Sequence, residues 1–193
     1  MNILLASGSS YRKSLLERLN LKFHQASPNI DESPQPGENA ENLTLRLSKE
    51  KALALATKHP NTLIIASDQC ASLENTILGK PGSREKAIKQ LSRCSGKKVT
   101  FYTGLCLLNT STEQHQLACV DYSVWFRKLS STQIATYIDR ENPLDCAGSF
   151  KCEGLGITLF EKMAGDDPNS LVGLPLITLT TMLINEGVYP IGR

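Results

Sequence analysis

The sequence predicts an α/β protein in which helices cover a mixed β-sheet. Three observations carry that prediction. Short apolar runs suited to strands alternate with leucine- and alanine-patterned helical segments. Clusters of Gly, Pro, Ser and Asn separate them. Two long strand-like segments, "KKVTFYTGLCLLN" and "QLACVDYSVWFRKL", flank a polar turn at residues 109–115 and read as a hairpin.

The first strand is "NILLA", which runs into the turn "SGSS". "SYRKSLLERL" follows as a helix with Leu15, Leu16 and Leu19 on its apolar side. Pro28, Pro34, Pro36 and Gly37 break the next passage, whose middle is acidic at Asp31 and Glu32. Residues 38–58 form a long helix with Leu43, Leu47 and Ala54 at one spacing and Leu45, Ala52 and Ala56 broadening the face. "NTLIIASDQ" is a short strand that terminates in polar groups. A loop around Pro81 and Gly82 leads to a helix carrying Ala87, Ile88 and Leu91. After the hairpin come a helix in "STQIATYIDRE", a polar loop with a strand, and a closing helix in "GLPLITLTTMLINEG". Phe101, Tyr102 and Trp125 are expected to fill the sheet core. The whole, residues 1–193, is expected to be one domain with a small lobe.

The totals exclude several classes. With 193 residues, 40% hydrophobic and 21% charged, the composition is that of an ordinary globular protein. A net charge of +2 without a polybasic run gives no case for nucleic-acid binding. "NILLA" is too short for a targeting core, and no apolar run nears the ~20 residues of a membrane span. The expected location is cytoplasmic, with no membrane partner. Cys70, Cys94, Cys106, Cys119, Cys146 and Cys152 lack close metal-binding pairs, and only three histidines accompany them. They are expected to be free thiols acting as small hydrophobes.

The chemistry-bearing residues fall in short pieces. In "SGSSYRK", a glycine- and serine-rich turn opens a helix whose first turn already presents positive partial charge. Placing Arg12 and Lys13 there is unfavourable unless an anion binds, and backbone N–H groups with Arg12 suit phosphate oxygens. An ordinary strand–helix turn with a solvated arginine is the alternative. The segment is neither a Walker A nor a dinucleotide fingerprint. In "LIIASDQ", Asp68 at the end of an apolar strand is suited to activate water, bind a metal or cap the next backbone segment. "LGKPG" holds Lys80 in a constrained loop, and Lys51 lies in "SKEKALALA", where surface charge is the plain reading. Glu32 and Asp68 suit Mg²⁺ or Mn²⁺ or a water, while Arg12, Lys51 and Lys80 suit phosphate oxygens.

The ordered set "LLASGSSYRK", "NIDES", "RLSKEKA", "IIASDQ", "ILGKPGS", "VTFYTGLCLLN", "VWFRKLS" and "CAGSFKCEGLGITLFEKMAGDDPNSLVGLPL" covers nearly the whole chain. It resembles the Maf nucleotide pyrophosphatase family, particularly its YceF-type branch associated with 7-methyl-GTP. The resemblance implies an inosine-triphosphatase-like α/β fold of two lobes with an active cleft between them. It implies a divalent metal and hydrolysis of nucleoside triphosphates to monophosphate and pyrophosphate. It assigns proton acceptance to Asp68, phosphate contacts to Ser7 and Arg12, and the remaining polar site to Glu32, Lys51 and Lys80. Substrate choice falls to Tyr11, Gln69 and Glu153.

Three positions depart from the family pattern. Ser10 stands where proline is usual, Tyr11 where this branch usually carries tryptophan, and Lys13 where a second arginine is usual. Lys13 keeps charge but loses bidentate geometry. Tyr11 can stack on a cationic methylated guanine, Gln69 can donate and accept, and Glu153 can meet the base's charge. Helix packing, a loop hydrogen bond and a surface salt bridge are the respective plain alternatives. The same chemistry on dTTP, UTP or another modified nucleotide, or a nucleotide sensor without turnover, also fits these residues, and the long strands are compatible with a homodimer.

Overall fold

The computed structural model describes residues 1–152 and 154–192. In chain order the elements are β1 (Asn2–Ala6), α1 (Ser10–Glu17), β2 (His24–Ala26), α2 (Ala40–Ala56), β3 (Thr62–Leu73), β4 (Thr76–Leu78) and α3 (Arg84–Cys94). They continue with β5 (Lys98–Asn109), β6 (Gln114–Phe126), α4 (Ser131–Glu141), β7 (Phe160–Gly165) and α5 (Leu176–Asn185). The strands form one sheet in the order β2-β1-β3-β5-β6-β7, with β4 also on β3. β1 runs parallel to β2 and β3, whereas β4 and β7 are antiparallel to their neighbours. This is the mixed, helix-flanked sheet that the alternation of periods predicts.

The chain divides into two compact units. The first contains Met1–Asp68, Thr103–Val120 and the chain from Asp167 onward. Its strands β1, β3 and β5 are buried on both faces, so they read as continuous apolar runs. Ile3 and Leu5 of β1, Leu63 and Ile65 of β3, and Leu105 and Leu107 of β5 pack with Leu15 and Leu16 of α1 and Leu179 and Leu183 of α5. The alternate residues Leu4, Ala6, Ile64, Ala66, Cys106 and Leu108 pack with Ala52 and Leu55 of α2. A Cβ added to Gly104 on β5 would lie 2.1 Å from the Thr44 carbonyl oxygen of α2, so only glycine permits this approach.

The second unit comprises Gln69–Tyr102 and Asp121–Asp166. Its centre is a group of four phenylalanines, Phe101, Phe126, Phe150 and Phe160, meeting edge to face with centroids 4.9 to 6.1 Å apart. That geometry sets the positive edge of one ring against the negative face of the next. α4 starts with reciprocal bonds between Ser130 and Gln133 and buries Ile134, Tyr137 and Ile138.

Several expectations are corrected. β3 does not end at Asp68 and Gln69 but runs to Leu73, and the short strands β2 and β4 occupy segments whose sequence pattern is that of loops. Ala54 is exposed; Leu55 continues the buried stripe of α2 instead. Trp125 is half-buried rather than core, with Lys98 and Lys162 ammonium groups 5.4 and 4.8 Å from its ring centroid. Tyr102 is also half-buried. The six cysteines are free thiols, with Cys70, Cys94 and Cys106 buried. Among the described residues, no helix is long and apolar enough to cross a membrane.

Candidate active site

β1 delivers the chain to Ser7, which is buried, and the turn then opens α1. Ser9 caps that helix, accepting from the Arg12 backbone N–H at 3.4 Å. The Ser7 hydroxyl oxygen accepts from the Ser9 N–H at 3.2 Å and from Arg12 Nη1 at 3.4 Å. Arg12 is half-buried, and its Nε donates to the Gly173 carbonyl at 2.8 Å. Burial pulls the Arg12 pKa below its ordinary value, and the nearby negative charges of Asp68 and Glu32 counter that pull. Lys13, by contrast, is exposed beside Glu17 at 3.8 Å. Only one of the two helix-start cations is drawn into the fold.

The anchor of Arg12 has its own support. Gly173 adopts φ +114°, ψ 11° after a 3₁₀ turn at Pro168–Val172, a conformation that favours glycine. Ser67 Oγ lies 2.9 Å from the same Gly173 carbonyl and 2.8 Å from that of Gly104. Buried Asp167 accepts from Asn169 N–H at 2.9 Å and from Ile177 N–H at 2.7 Å, tying this turn to the start of α5.

Lys51 joins the two carboxylates. On α2 the residues Leu43, Leu47, Lys51 and Leu55 recur every four positions, all on the buried stripe. Lys51 is therefore only 5% exposed, which overturns its plain reading as surface charge. Its ammonium donates to Asp68 Oδ1 at 2.5 Å and to Glu32 Oε1 at 2.7 Å. Asp68, 7% exposed, lies on β3 beyond the last residue paired with β1, Ile65. It caps no helix. Glu32 comes from the proline-broken segment, and its side chain is 53% exposed. Arg46 of α2 fastens that segment: Nη2 donates to the Ser33 carbonyl at 3.1 Å, while Nε and Nη2 each reach a Glu38 carboxylate oxygen at 2.7 Å.

Two carboxylate oxygens converging on one cation suit a hard divalent ion in place of the ammonium. Among the described residues no group of three or more His, Cys, Asp and Glu side chains gathers as a metal site. Glu32 and Asp68 together offer a hard ion two carboxylates, fewer protein ligands than the roughly six or more oxygens such an ion takes.

The structure brings Ser7, Arg12, Glu32, Lys51 and Asp68 together within the first unit. Tyr11 stands in the first turn of α1, 37% exposed. Gln69 and Lys80 belong to the second unit: Gln69 is half-buried on β3, and Lys80 is exposed in the loop after β4. That loop is clamped by Gln90, whose amide donates to the Gly79 carbonyl at 3.0 Å and accepts from Ser149 Oγ at 2.5 Å. Ser149 is held at φ +62° next to Phe150 of the aromatic group. Glu153 lies outside the described residues.

Ser67, Gly173, Asp167, Arg46 and Gln90 support this arrangement without having been singled out in the sequence. Gly173 alone among them left a signal, preceding Leu174–Pro175 at the close of a turn; the burial of Lys51 had one too, since it replaces an apolar residue in the Leu43–Leu47–Leu55 register. The roles of Ser67 and Gln90 leave no such mark.

The model of Maf-like proteins matches residues 2–186. A 7-methyl-GTP pyrophosphatase of Alcanivorax borkumensis is 58% identical over 186 residues, spanning 96% of this chain and 94% of that one. One from Pseudomonas aeruginosa is 56% identical over 187 residues, spanning 97% of each. Among solved structures, the Ham1 protein of Staphylococcus aureus superposes with a TM-score of 0.46 at 18% identity, covering 66% of this chain and 73% of that one. Matched almost from end to end, the chain belongs to the Maf-like protein family.

Proposed function

We propose that the chain hydrolyses 7-methyl-GTP to 7-methyl-GMP and pyrophosphate. The observation that carries the chemistry is the Lys51 ammonium drawing Asp68 and Glu32 to one point, with Arg12 sensing both charges. The base rests on the named activity of relatives 56–58% identical over nearly the whole chain.

In this reading Arg12 and Lys80 bind phosphate oxygens, and Ser7 with the α1 N-terminus adds neutral donors. Arg12 keeps Nε on Gly173 and Nη1 on the Ser7 hydroxyl, and its remaining terminal N–H groups turn to the substrate. Asp68 orients the attacking water and takes its proton as the bond between the α- and β-phosphates breaks. Lys51 steadies the Asp68 carboxylate before attack and counters phosphate charge during it. A divalent ion, held by Glu32 and Asp68, supplies Lewis-acid charge on the phosphate oxygens when bound. Tyr11, Gln69 and Glu153 select the base. The cytoplasm is the compartment this reading expects.

Product analysis tests it. Purified protein with Mg²⁺ or Mn²⁺ should convert 7-methyl-GTP to monophosphate and pyrophosphate in equal amounts. Diphosphate plus inorganic phosphate as primary products would reject the proposed bond, and tight binding without turnover would favour a sensor.

A further inference from the structure

We propose that Lys51 is a resident counter-ion that makes divalent-metal binding depend on nucleotide. The inference rests on the metal-assisted reading above and concerns the order in which the site fills. The Lys51 ammonium already stands where the Asp68 and Glu32 oxygens converge, at 2.5 and 2.7 Å. A metal ion that draws on the same two oxygens, Asp68 Oδ1 and Glu32 Oε1, competes with the ammonium for that place.

Charge decides when it can. In the free site two carboxylates face two cations, Lys51 and Arg12, and Arg12 feels both carboxylates. A divalent ion arriving alone crowds those cations and leaves a positive excess in a largely buried place. Opposite charges favour one another strongly there, and like charges are costly for the same reason. A triphosphate arriving with the ion reverses the balance. It gives the displaced Lys51 ammonium a new anion, which the long flexible lysine stem can reach.

Ligand number points the same way. Two carboxylates without a third neighbouring acidic, His or Cys side chain among the described residues are a sparse cage for a hard ion. Phosphate oxygens complete its shell. Lys51 itself cannot move to solvent at no cost, because its side chain is 7% exposed on the packed stripe of α2. The ammonium therefore stays until something anionic receives it.

The test uses Mn²⁺ as probe and reads binding rather than turnover. Free Mn²⁺ is followed by electron paramagnetic resonance on titration with the parent, Lys51→Met and Lys51→Met/Asp68→Asn, without nucleotide. Lys51→Met should bind Mn²⁺ at least ~10-fold more tightly than the parent, as expected for removing a competing unit charge at this distance. The double variant should lose that gain. A change of less than about five-fold, or a gain that survives in the double variant, overturns the proposal. Lys51→Gln repeats the comparison should Lys51→Met fail to fold. The parent alone gives a second reading: water-proton relaxation with Mn²⁺ should rise only when an α,β-methylene analogue of 7-methyl-GTP is added, corrected for the analogue's own Mn²⁺ binding. Equal enhancement without the analogue overturns the proposal. The metal-alone arms depend neither on the base nor on cleavage, so their failure is distinct from failure of the product assay.

Discussion

Arg12 Nε donates to the carbonyl of Gly173 at 2.8 Å, joining the first turn of α1 to a residue 161 positions later. The bond orients a guanidinium that would otherwise be a mobile chain at a helix start. Ser67 shares the same carbonyl, so β3, α1 and the turn before α5 meet at one oxygen.

Gly173→Ala should therefore affect both stability and substrate binding. An L side chain at φ +114° costs on the order of 1–3 kcal/mol. The added Cβ would also lie 3.3 Å from Arg12 Nε. Thermal unfolding should show a lower midpoint, and KM should rise more than kcat falls. An unchanged KM in the folded variant would remove Gly173 as the anchor of Arg12.

Asp68→Asn keeps the side-chain size but removes the charge that pairs with Lys51 and that the proposed mechanism uses to take the water's proton. Turnover should fall by roughly 10²-fold or more, the scale of a positioned acid–base group. Circular dichroism should show a folded protein. Near-parental kcat with saturating metal would count against Asp68 as the proton acceptor.

Base choice is tested with Glu153→Gln. The parent should show a higher kcat/KM for 7-methyl-GTP than for GTP, dTTP and UTP, as follows from the proposal that Tyr11 and Glu153 select the cationic methylated base. The variant should lose part of that preference and still release pyrophosphate. Better parental use of dTTP or UTP would sink the substrate proposed; unchanged discrimination in the variant would sink only the role of Glu153.

Stability should decline in alkali through two buried thiols. Burial pushes Cys94 up to about 11 and Cys106 up to about 12. An unfolded cysteine loses its proton near ~8.5, so above that pH the folded state holds more protons and stability falls as pH rises. The contribution is complete below pH ~8.5 and is lost progressively toward the folded values. Urea midpoints at pH 7.5, 9 and 10 should decrease in that order, and Cys106→Ala should flatten the decline. A midpoint that stays constant to pH 10 would show the thiols are not the source.

Local periodicity made much of the fold legible. The continuous apolar runs of β1 and β5, the leucine spacing of α1 and the helical pattern of α4 each follow from a few neighbouring residues. The short strands β2 and β4 were not legible, because three residues form a strand only when a partner accepts their hydrogen bonds. β3 likewise extends past Asp68 through pairing, against the polar break that suggested its end.

By itself, then, the sequence determined the α/β alternation, the helix faces and the residue types suited to phosphate and a hard metal. Only the tertiary structure decided that Lys51 is buried and shared between Asp68 and Glu32, and that Arg12 is held by Gly173. The physical reason is range. Backbone period and capping depend on residues a turn or two apart, whereas these bonds bring together positions 12 and 173, or 32, 51 and 68. Their meeting depends on the path of the sheet and on which side chains the packed core leaves room for.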